Sequence, residues 1–307
     1  MAEVGERLDK LVAEAFPQLS RSRVQSLIRK GHVRVDGELV RGSHRPGVDA
    51  HVIVEVPAET PVDLEPLDLG LELLYRDAHL AVVVKPSGLV VHPASSHQGP
   101  TLVHGLLHAL EGLSGVGGEQ RPGIVHRLDK GTSGVMVVAC DDVTHRGLQE
   151  QFAAHSLDRR YWTLVYGGPD LDAGTVRSNL GRHPTDRLRF ATVERGGREA
   201  ITHWSVVERL GGVTLMECRL ETGRTHQVRV HLSESGFPVV ADPVYRRGRN
   251  PPEGLRAVVD PVDHQLLHAY KLAFEHPVEK RWMEFEQDLP ADFQGVLDQA
   301  RQLHSLG

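Results

Sequence analysis

The sequence has only two cysteines, Cys140 and Cys218, among 307 residues. This count excludes a disulfide framework and a metal site built from paired cysteines. No apolar run reaches the roughly 20 residues that a membrane-spanning helix needs. The first ten residues include acids and lack the apolar stretch of a secretory signal. We therefore expect a cytoplasmic protein that does not enter a membrane.

Motifs for common cofactors and metals are also missing. The sequence contains neither a GxGxxG dinucleotide-binding segment nor a GxxxxGK[ST] phosphate-binding loop. Among 19 histidines, two pairs have the i, i+4 spacing of a zinc-binding helix, His104/His108 and His264/His268. Gln265 stands where an HExxH motif has its glutamate, and no cysteine lies close to either pair. We therefore expect no cofactor and no metal site, and interpret these histidines as packed or surface residues.

The net charge of −6 disfavours a nucleic-acid partner when taken alone, but the charge is unevenly distributed. Residues 21–45 hold seven basic residues against two acids, whereas residues 57–80 and 284–307 hold an acidic excess. Because salt screens charges beyond about 8–10 Å, a basic stripe can bind phosphate on a mildly acidic chain. The alternative is that these basic residues form the solvated face of an amphipathic helix.

The periodicity of the chain predicts two regions. Residues 5–16 and 21–31 have helical spacing, and a hairpin around Asp36-Gly37 and a strand at 51–56 follow. A proline-rich acidic stretch then precedes a longer region of short strands and helices. Several of these strands, THQVRVHL among them, follow one another without a helix between, which favours antiparallel or mixed pairing. We predict an α+β fold with a small N-terminal module and a large domain, whose mixed, mainly antiparallel sheet has flanking helices and a central cleft.

The segment GIVHRLDKGTSG, residues 123–134, is the first candidate site. It places Asp129 between two cations, Arg127 and Lys130, in a glycine-rich loop before the strand VMVVA. Nearby cations favour an ionised carboxylate, which can act as a nucleophile or a base. Spacing alone favours a simpler interpretation, in which Asp129 caps a turn and Arg127 forms a surface ion pair.

A second segment, LETGRTHQVRVH, residues 220–231, concentrates arginine and histidine at the start of a predicted strand. A guanidinium commonly holds a carboxylate in a bidentate pair, so Arg224 is a candidate partner for Asp129. The alternative is a solvated strand end.

Together these segments resemble the RluA-type family of pseudouridine synthases. HRLDKGTSG (126–134) is similar to the family's catalytic stretch, and GRTHQVRVH (223–231) is similar to a later family motif. Three further stretches agree in order, namely VVVKPSGLVVHPA (82–94), GRHPTDR (181–187) and LHAYKLAFEHP (267–277). The resemblance covers roughly residues 71–290 and implies isomerisation of uridine to pseudouridine in RNA.

The N-terminal stretch LSRSRVQSLIRKGHVRVDG (19–37) resembles an S4-type RNA-binding domain. Such a domain precedes the catalytic region in the branch that acts on large-subunit ribosomal RNA, and VVHPA and LETGRTHQ match the D-type members of that branch. The resemblance implies an S4-like domain at 1–57, a linker at 58–70, a catalytic domain at 71–290 and a tail at 291–307. It implies RNA contacts on the second helix, at Arg21, Arg23, Arg29 and Lys30.

The resemblance also assigns roles to the site residues. Asp129 falls on the catalytic aspartate, Tyr161 on the active-site tyrosine that stacks on the turned base and helps to remove the C5 proton, and Arg224 on the basic residue that pairs with the aspartate. Arg127 falls on an arginine that fills the gap left by a flipped base. Thr163 departs from the family, which usually has alanine there. The expected partner is ribosomal RNA or an assembling large subunit, and we expect a monomer.

Two other function classes compete with this interpretation. A non-catalytic ribosomal-RNA-binding assembly factor would retain the fold without using its chemistry, which the intact Asp129, Tyr161 and Arg224 disfavour. A hydrolase with an aspartate nucleophile would use clustered acids to hold magnesium, and none surround Asp129 in the sequence.

Overall fold

The computed structural model describes residues 5–16, 21–56, 64–94, 97, 99–118, 121–186 and 188–306, without the side chains of 21–23 and 26. The chain divides into two compact units, Met1–Pro61 and Val62–Gly307. The fold is α+β, as predicted. Within these described ranges, no helix combines the length and the hydropathy of a bilayer-spanning segment.

The first unit packs two helices against a three-stranded antiparallel sheet of order β2-β1-β3. The hairpin turn falls on Asp36 and Gly37, whose φ angles of 49° and 83° are those that a tight two-residue hairpin requires. This confirms the helix–helix–hairpin–strand order that the periodicity predicts. The elements are α1 (Leu8–Ala15), α2 (Arg21–Arg29), β1 (Val33–Val35), β2 (Glu38–Leu39) and β3 (Val52–Val54).

The second unit is built on one ten-stranded sheet with helices against it. Its strands are β4 (Glu72–Arg76), β5 (Leu80–Lys85), β6 (Ser133–Ala139), β7 (Asp158–Tyr166), β8 (Ala173–Arg182), β9 (Phe190–Thr192), β10 (Arg198–Arg209), β11 (Val213–Leu220), β12 (Leu267–Glu275) and β13 (Trp282–Glu286). Its helices are α3 (Leu102–Ala109), α4 (Asp142–Ala154), α5 (Gln227–Glu234), α6 (Arg256–Val259) and α7 (Ala291–Leu306).

The strand order is β4-β5-β6-β12-β7-β11-β10-β8-β9, with β13 paired to β12. Among the strand pairs of the described chain, β6 and β12 are parallel and the others are antiparallel. The sheet is thus mixed and mainly antiparallel, as expected. The parallel pair brings the start of β6, and the loop before it, to the middle of the sheet.

The central strands are apolar without alternation because both of their faces are covered. On β6, Val135 and Val137 pack in the cluster that contains Leu148 of α4. Met136 and Val138 face the other way, into the cluster that contains Leu106 of α3. The loop that leads into β6 is therefore attached to a strand that is fully buried along its length.

Three sequence-based assignments differ from the structure. The segment predicted as the strand THQVRVHL forms helix α5. The C-terminal tail, predicted to contain at most a short helix, is a 16-residue helix, α7, whose Phe293, Val296 and Leu297 are buried in a core cluster of the second unit. The described part of the expected linker, residues 64–70, packs on α3, where the Leu67 N–H donates to the carbonyl oxygen of His104 (3.0 Å).

Candidate active site

The HRLDKGTSG segment forms the loop that leads into β6, and the buried Lys85 holds this loop by a hydrogen bond to its backbone. Burial lowers the pKa of Lys85 to about 7, although the charge of Asp129 opposes the shift. Lys85 donates a hydrogen bond to the carbonyl oxygen of Lys130, the residue that follows Asp129, and so restrains the position of the Asp129 carboxylate. The Lys85 ammonium donates at 2.7, 2.9 and 3.1 Å to the carbonyl oxygens of Pro86, Leu89 and Lys130.

Asp129 forms an ion pair with Arg229 of helix α5. The Arg229 Nη1 donates to Asp129 Oδ2 at 3.0 Å. The same guanidinium donates through Nε and Nη2 to the two oxygens of Asp242, at 2.7 and 2.9 Å. Asp242 is fully buried and Arg229 is 4% exposed, so this is a buried Asp–Arg–Asp arrangement. A guanidinium held along one edge by both oxygens of Asp242 presents its Nη1 to Asp129 in a fixed orientation.

The predicted pairing of Arg224 with Asp129 is wrong. Arg224 lies in the turn before α5, and its Nε donates instead to the carbonyl oxygen of Glu199 (2.9 Å). The resemblance assigned this role to Arg224, but in helix α5 the arginine directed at the carboxylate is Arg229. Arg224 still lines the same cavity, on the side of Arg198 and Arg159.

His226 is a second neighbour of Asp129, with its Nε2 4.0 Å from Asp129 Oδ1. Its Nδ1 lies 2.8 Å from the hydroxyl of Tyr245, which also accepts the Phe190 N–H (2.7 Å). Because that hydroxyl already accepts one hydrogen bond, donating its proton to Nδ1 satisfies both groups, and neutral His226 then carries its proton on Nε2. An N–H of His226 thus faces the Asp129 carboxylate.

The electrostatic environment keeps Asp129 ionised. Burial by itself favours the neutral acid, but His226, Arg229 and Arg127 together outweigh it, and the pKa of Asp129 lies below its ordinary value. The carboxylate oxygens therefore carry charge at neutral pH inside a largely closed site. Such a group can attack or stabilise an electron-poor carbon that enters the site.

Asp129 and Tyr161 line one cavity of about 440 Å³. Tyr161 comes from β7, and its ring packs beside Leu128 and Leu220. Burial raises the pKa of Tyr161, with a smaller opposing effect of Arg159, so its phenol is neutral at physiological pH. The cavity thus combines a charged carboxylate with an aromatic ring and apolar neighbours, which suits a flat base removed from its stack.

The other predicted site residues occupy different places. Arg127 is exposed at the rim of the cavity. Arg29 and Lys30 are exposed at the end of α2 in the first unit, whereas the side chains of Arg21 and Arg23 lie outside the described residues. Their contacts with RNA stay predictions.

Thr163, the departure from the family pattern, is buried in β7. Its hydroxyl donates to the carbonyl oxygen of Leu266 at 3.1 Å. The extra hydroxyl is therefore satisfied, and it links β7 to the start of β12 behind the cavity. Alanine would lack this hydrogen bond.

The histidine pairs have structural partners. His104 closes a capping box with Thr101 at the start of α3. His268 lies on strand β12 rather than on a helix, where its Nδ1 accepts from Ser133 Oγ (2.8 Å). His264 instead pairs with Asp292. The i, i+4 spacing of a zinc helix does not apply to a pair that is not helical.

Several residues of this site were missed or misplaced from the sequence. Arg229 stands inside the second motif, but the strand-like alternation of that motif gave no sign that Arg229 lies on a helix and is directed at Asp129. Asp242 belongs to none of the motifs, and only the fold brings it to Arg229. Lys85 lies in a stretch that matched the family, and a lysine inside an apolar run is the signal that could have marked it as buried and specifically bound.

The comparisons with known proteins agree across the chain. The family profile described as RNA pseudouridylate synthase matches residues 79–234, and the S4 domain profile matches residues 6–52. The chain is 44% identical over 296 residues to ribosomal large subunit pseudouridine synthase D of Zymomonas mobilis, covering 95% of this chain and 92% of the relative. The protein of the same name from Pseudomonas aeruginosa is 40% identical over 302 residues, covering 97% and 93%.

The fold also resembles solved structures. Human RNA Pseudouridylate Synthase Domain Containing 4 aligns with a TM-score of 0.59 at 25% identity, covering 75% of this chain and 92% of that one. Human RNA Pseudouridylate Synthase Domain Containing 1 aligns with a TM-score of 0.57 at 22% identity, covering 80% and 98%. The second likeness concerns the fold alone.

Proposed function

This chain belongs to the RNA pseudouridylate synthase family and is an RNA pseudouridine synthase, an isomerase, and from that premise we propose that it modifies specific uridines of large-subunit (23S) ribosomal RNA, with Asp129 as the catalytic carboxylate. The family and the S4 domain predicted from the sequence are confirmed. The observation that carries the proposed role is the position of Asp129, held ionised by Arg229 in a cavity that also contains Tyr161.

The names of the relatives support the choice of RNA. Two relatives that match nearly the whole chain, including the S4 region, are named as acting on the large ribosomal subunit. On this basis the substrate is ribosomal RNA, free or in an assembling large subunit. The proposal keeps the expectation of a cytoplasmic monomer. The exposed Arg29 and Lys30 on α2 would contact RNA phosphates.

The reaction breaks the N1–C1′ bond, turns the uracil over and joins C5 to C1′. The C5 proton leaves and N1 gains a proton, so the product has the same atoms as the substrate and no oxidant or reductant is used. A carboxylate next to C1′ can attack that carbon or take a sugar proton to form a glycal, and the ionised Asp129 suits both routes. Arg229 holds one of its oxygens, and the other remains available to the sugar.

Tyr161 is placed to receive the turned uracil. Its ring gives the base an aromatic partner in the cavity, and its hydroxyl helps the C5 proton to leave. Because burial raises the pKa of Tyr161, the residue acts in this step as a neutral phenol that accepts and donates a proton, not as a phenolate. Arg127, exposed at the rim, fills the gap that the flipped base leaves in the RNA.

The test is the variant Asp129→Asn, assayed by tritium release from RNA that carries uridine labelled at C5. We expect turnover to fall by more than about 10³-fold, because an amide cannot act as a nucleophile or a base, while RNA affinity stays near wild type. Asp170→Asn, at an exposed loop position, serves as the matched control and should keep full activity. Substantial tritium release by Asp129→Asn would falsify the role of this carboxylate.

The same assay separates the competing functions. A non-catalytic assembly factor would bind RNA without tritium release from the wild type, and a hydrolase would liberate free uracil. Mapping of pseudouridines in ribosomal RNA from cells with and without the gene tests the substrate. Loss of pseudouridine only from RNAs other than 23S would refute the proposed target.

A further inference from the structure

Arg159 is a buried cation in the catalytic cavity that the proposed chemistry does not use. It precedes Tyr161 by two residues on β7, so both side chains leave the same face of the strand. Arg159 is 7% exposed, and its guanidinium lies over the ring of Phe152, 5.4 Å from the centroid. Its Nη2 donates to the carbonyl oxygen of Glu221 (2.8 Å), whereas its buried Nε has no hydrogen-bond partner.

No acidic side chain within the described ranges forms an ion pair with Arg159. Its neighbour Arg160 shows the contrast, because Arg160 pairs with Asp158 at 2.9 Å and with Glu217 at 3.4 Å. A buried charge is costly unless it is paired. Arg159 is therefore a buried charge for which the described part of the protein supplies no counterion.

The surroundings of Arg159 leave room for an anion and add positive charge. A Cβ at position 223 would lie 2.7 Å from Arg159 Nη1, so Gly223 keeps that edge of the guanidinium uncovered. Arg224 follows directly and lines the same cavity, together with Arg198. Burial lowers the pKa of Arg224, and the charges of Arg198 and Arg159 lower it further, which shows how near these cations are to one another.

We propose that Arg159 and Arg224 form a subsite for a backbone phosphodiester of the RNA, next to the flipped uridine. This subsite rests on the proposed function, because the phosphate enters with the nucleotide that Asp129 acts on. A phosphodiester carries a permanent negative charge and two exposed oxygens, which match the fork of a guanidinium. The subsite holds the sugar–phosphate backbone equally before and during the turn of the uracil, so it contributes to RNA affinity rather than to turnover at saturating RNA.

The phosphate accounts for these cations better than the detached uracil does. Uracil carries negative charge only transiently, whereas the cluster presents three guanidiniums at all times. Arg159 is also not among the groups that act most strongly on Asp129, which are His226, Arg229 and Arg127. The cavity thus has a reaction side around Asp129 and a separate cationic side around Arg159.

The test compares Arg159→Met with the neighbouring control Arg160→Met. We expect Arg159→Met to weaken binding of a large-subunit ribosomal RNA transcript by about tenfold or more. The slope of log K against log salt should fall by about one, since one phosphate contact is lost. Turnover at saturating RNA should stay within a few fold of wild type, and Arg160→Met should leave the salt slope unchanged.

A stability measurement excludes a merely structural role. Removing a buried charge without a carboxylate partner should leave Tm unchanged or raise it, and inorganic phosphate at constant ionic strength should raise Tm of the wild type but not of Arg159→Met. As a second variant, Gly223→Ala keeps the charge but displaces Nη1, so it should weaken RNA binding without lowering Tm.

Three outcomes would overturn the subsite. In the first, RNA affinity and salt slope are unchanged in Arg159→Met while turnover at saturating RNA falls, which would place the guanidinium on the uracil. In the second, Tm falls by several degrees and inorganic phosphate stabilises both proteins equally. In the third, Arg160→Met changes the salt slope as much as Arg159→Met does. If the proposed function itself is wrong, the wild type releases no tritium. The binding measurements on Arg159→Met still test the phosphate subsite in that case.

Discussion

At the residue scale, one arginine joins two carboxylates, Asp129 and Asp242. Arg229 shares its donors between Asp242, which takes two, and Asp129, which takes one. Asp242 also accepts the backbone N–H groups of Val244 and Tyr245, so it makes four hydrogen bonds in all. Asp129 makes fewer: its Oδ2 accepts from Arg229, and among the described residues the neighbour of its Oδ1 is His226, at 4.0 Å.

Replacing Arg229 by lysine should shift the acid limb of the pH profile. A lysine ammonium is a point charge that cannot bridge two carboxylates in the same geometry, so it attracts Asp129 less. The pKa of Asp129, now below its ordinary value of 3.8, should rise by about one unit or more. Because the proposed role of Asp129 requires its ionised form, activity should be lost at higher pH than in the wild type.

The measurement is kcat/KM from tritium release between about pH 4.5 and 8. The wild type should stay flat over most of this range, while Arg229→Lys should decline on its acid side. Arg224→Lys serves as the control, since Arg224 bonds to the Glu199 carbonyl and not to Asp129. An acid limb that stays in place in Arg229→Lys would show that another group sets the charge of Asp129.

At the element scale, the parallel pair β6–β12 supports the catalytic loop. Gly134 is the second residue of β6 in this pair, has φ 124°, and lies opposite Ala269. A Cβ at this position would lie 2.2 Å from the carbonyl oxygen of Ala269. The close approach of the two strands, five residues after Asp129, thus requires glycine.

Gly134→Ala should destabilise the catalytic unit by about 3 kcal/mol or more, because it combines an unfavourable φ with a backbone clash. Urea unfolding followed by fluorescence measures the loss. Gly295→Ala is the matched control: its Cβ would meet open space on α7, and alanine should stabilise that helix by up to about 1 kcal/mol. Equal unfolding free energies for Gly134→Ala and wild type would refute the clash.

The elements also show how far the sequence predicts the site. The two quoted motifs locate the loop of Asp129 and the segment of Arg229, because each contains chemistry-bearing residues next to an apolar strand or helix. They do not show that the second motif folds as helix α5. Seven of the eight residues of this helix, from Gln227 to Ser233, are buried. A helix buried all around has no polar face, so the alternation of Val228 and Val230 resembled a strand. Asp242 is predictable from no local pattern.

At the scale of the whole molecule, buried neutral histidines couple stability to pH. His268 accepts a hydrogen bond from Ser133 and donates through Nε2 to the Gln287 carbonyl oxygen (3.2 Å), which is the pattern of a neutral ring. His231 is similarly enclosed by Thr202 and Ser178. Burial lowers the pKa of both rings to about 4, from an ordinary value of 6.5.

These shifts predict that the folded catalytic unit loses stability as pH falls. Between pH 6.5 and about 4, the unfolded chain binds protons that the folded rings exclude, so the free energy of unfolding should rise with pH there. Each histidine contributes a slope of about 1.4 kcal/mol per pH unit. Urea unfolding at several pH values, followed by tryptophan fluorescence, is suitable because Trp162, Trp204 and Trp282 all lie in this unit. His268→Gln should have a shallower slope, since glutamine does not titrate, and an unchanged slope would mean that protonation of this ring does not oppose folding.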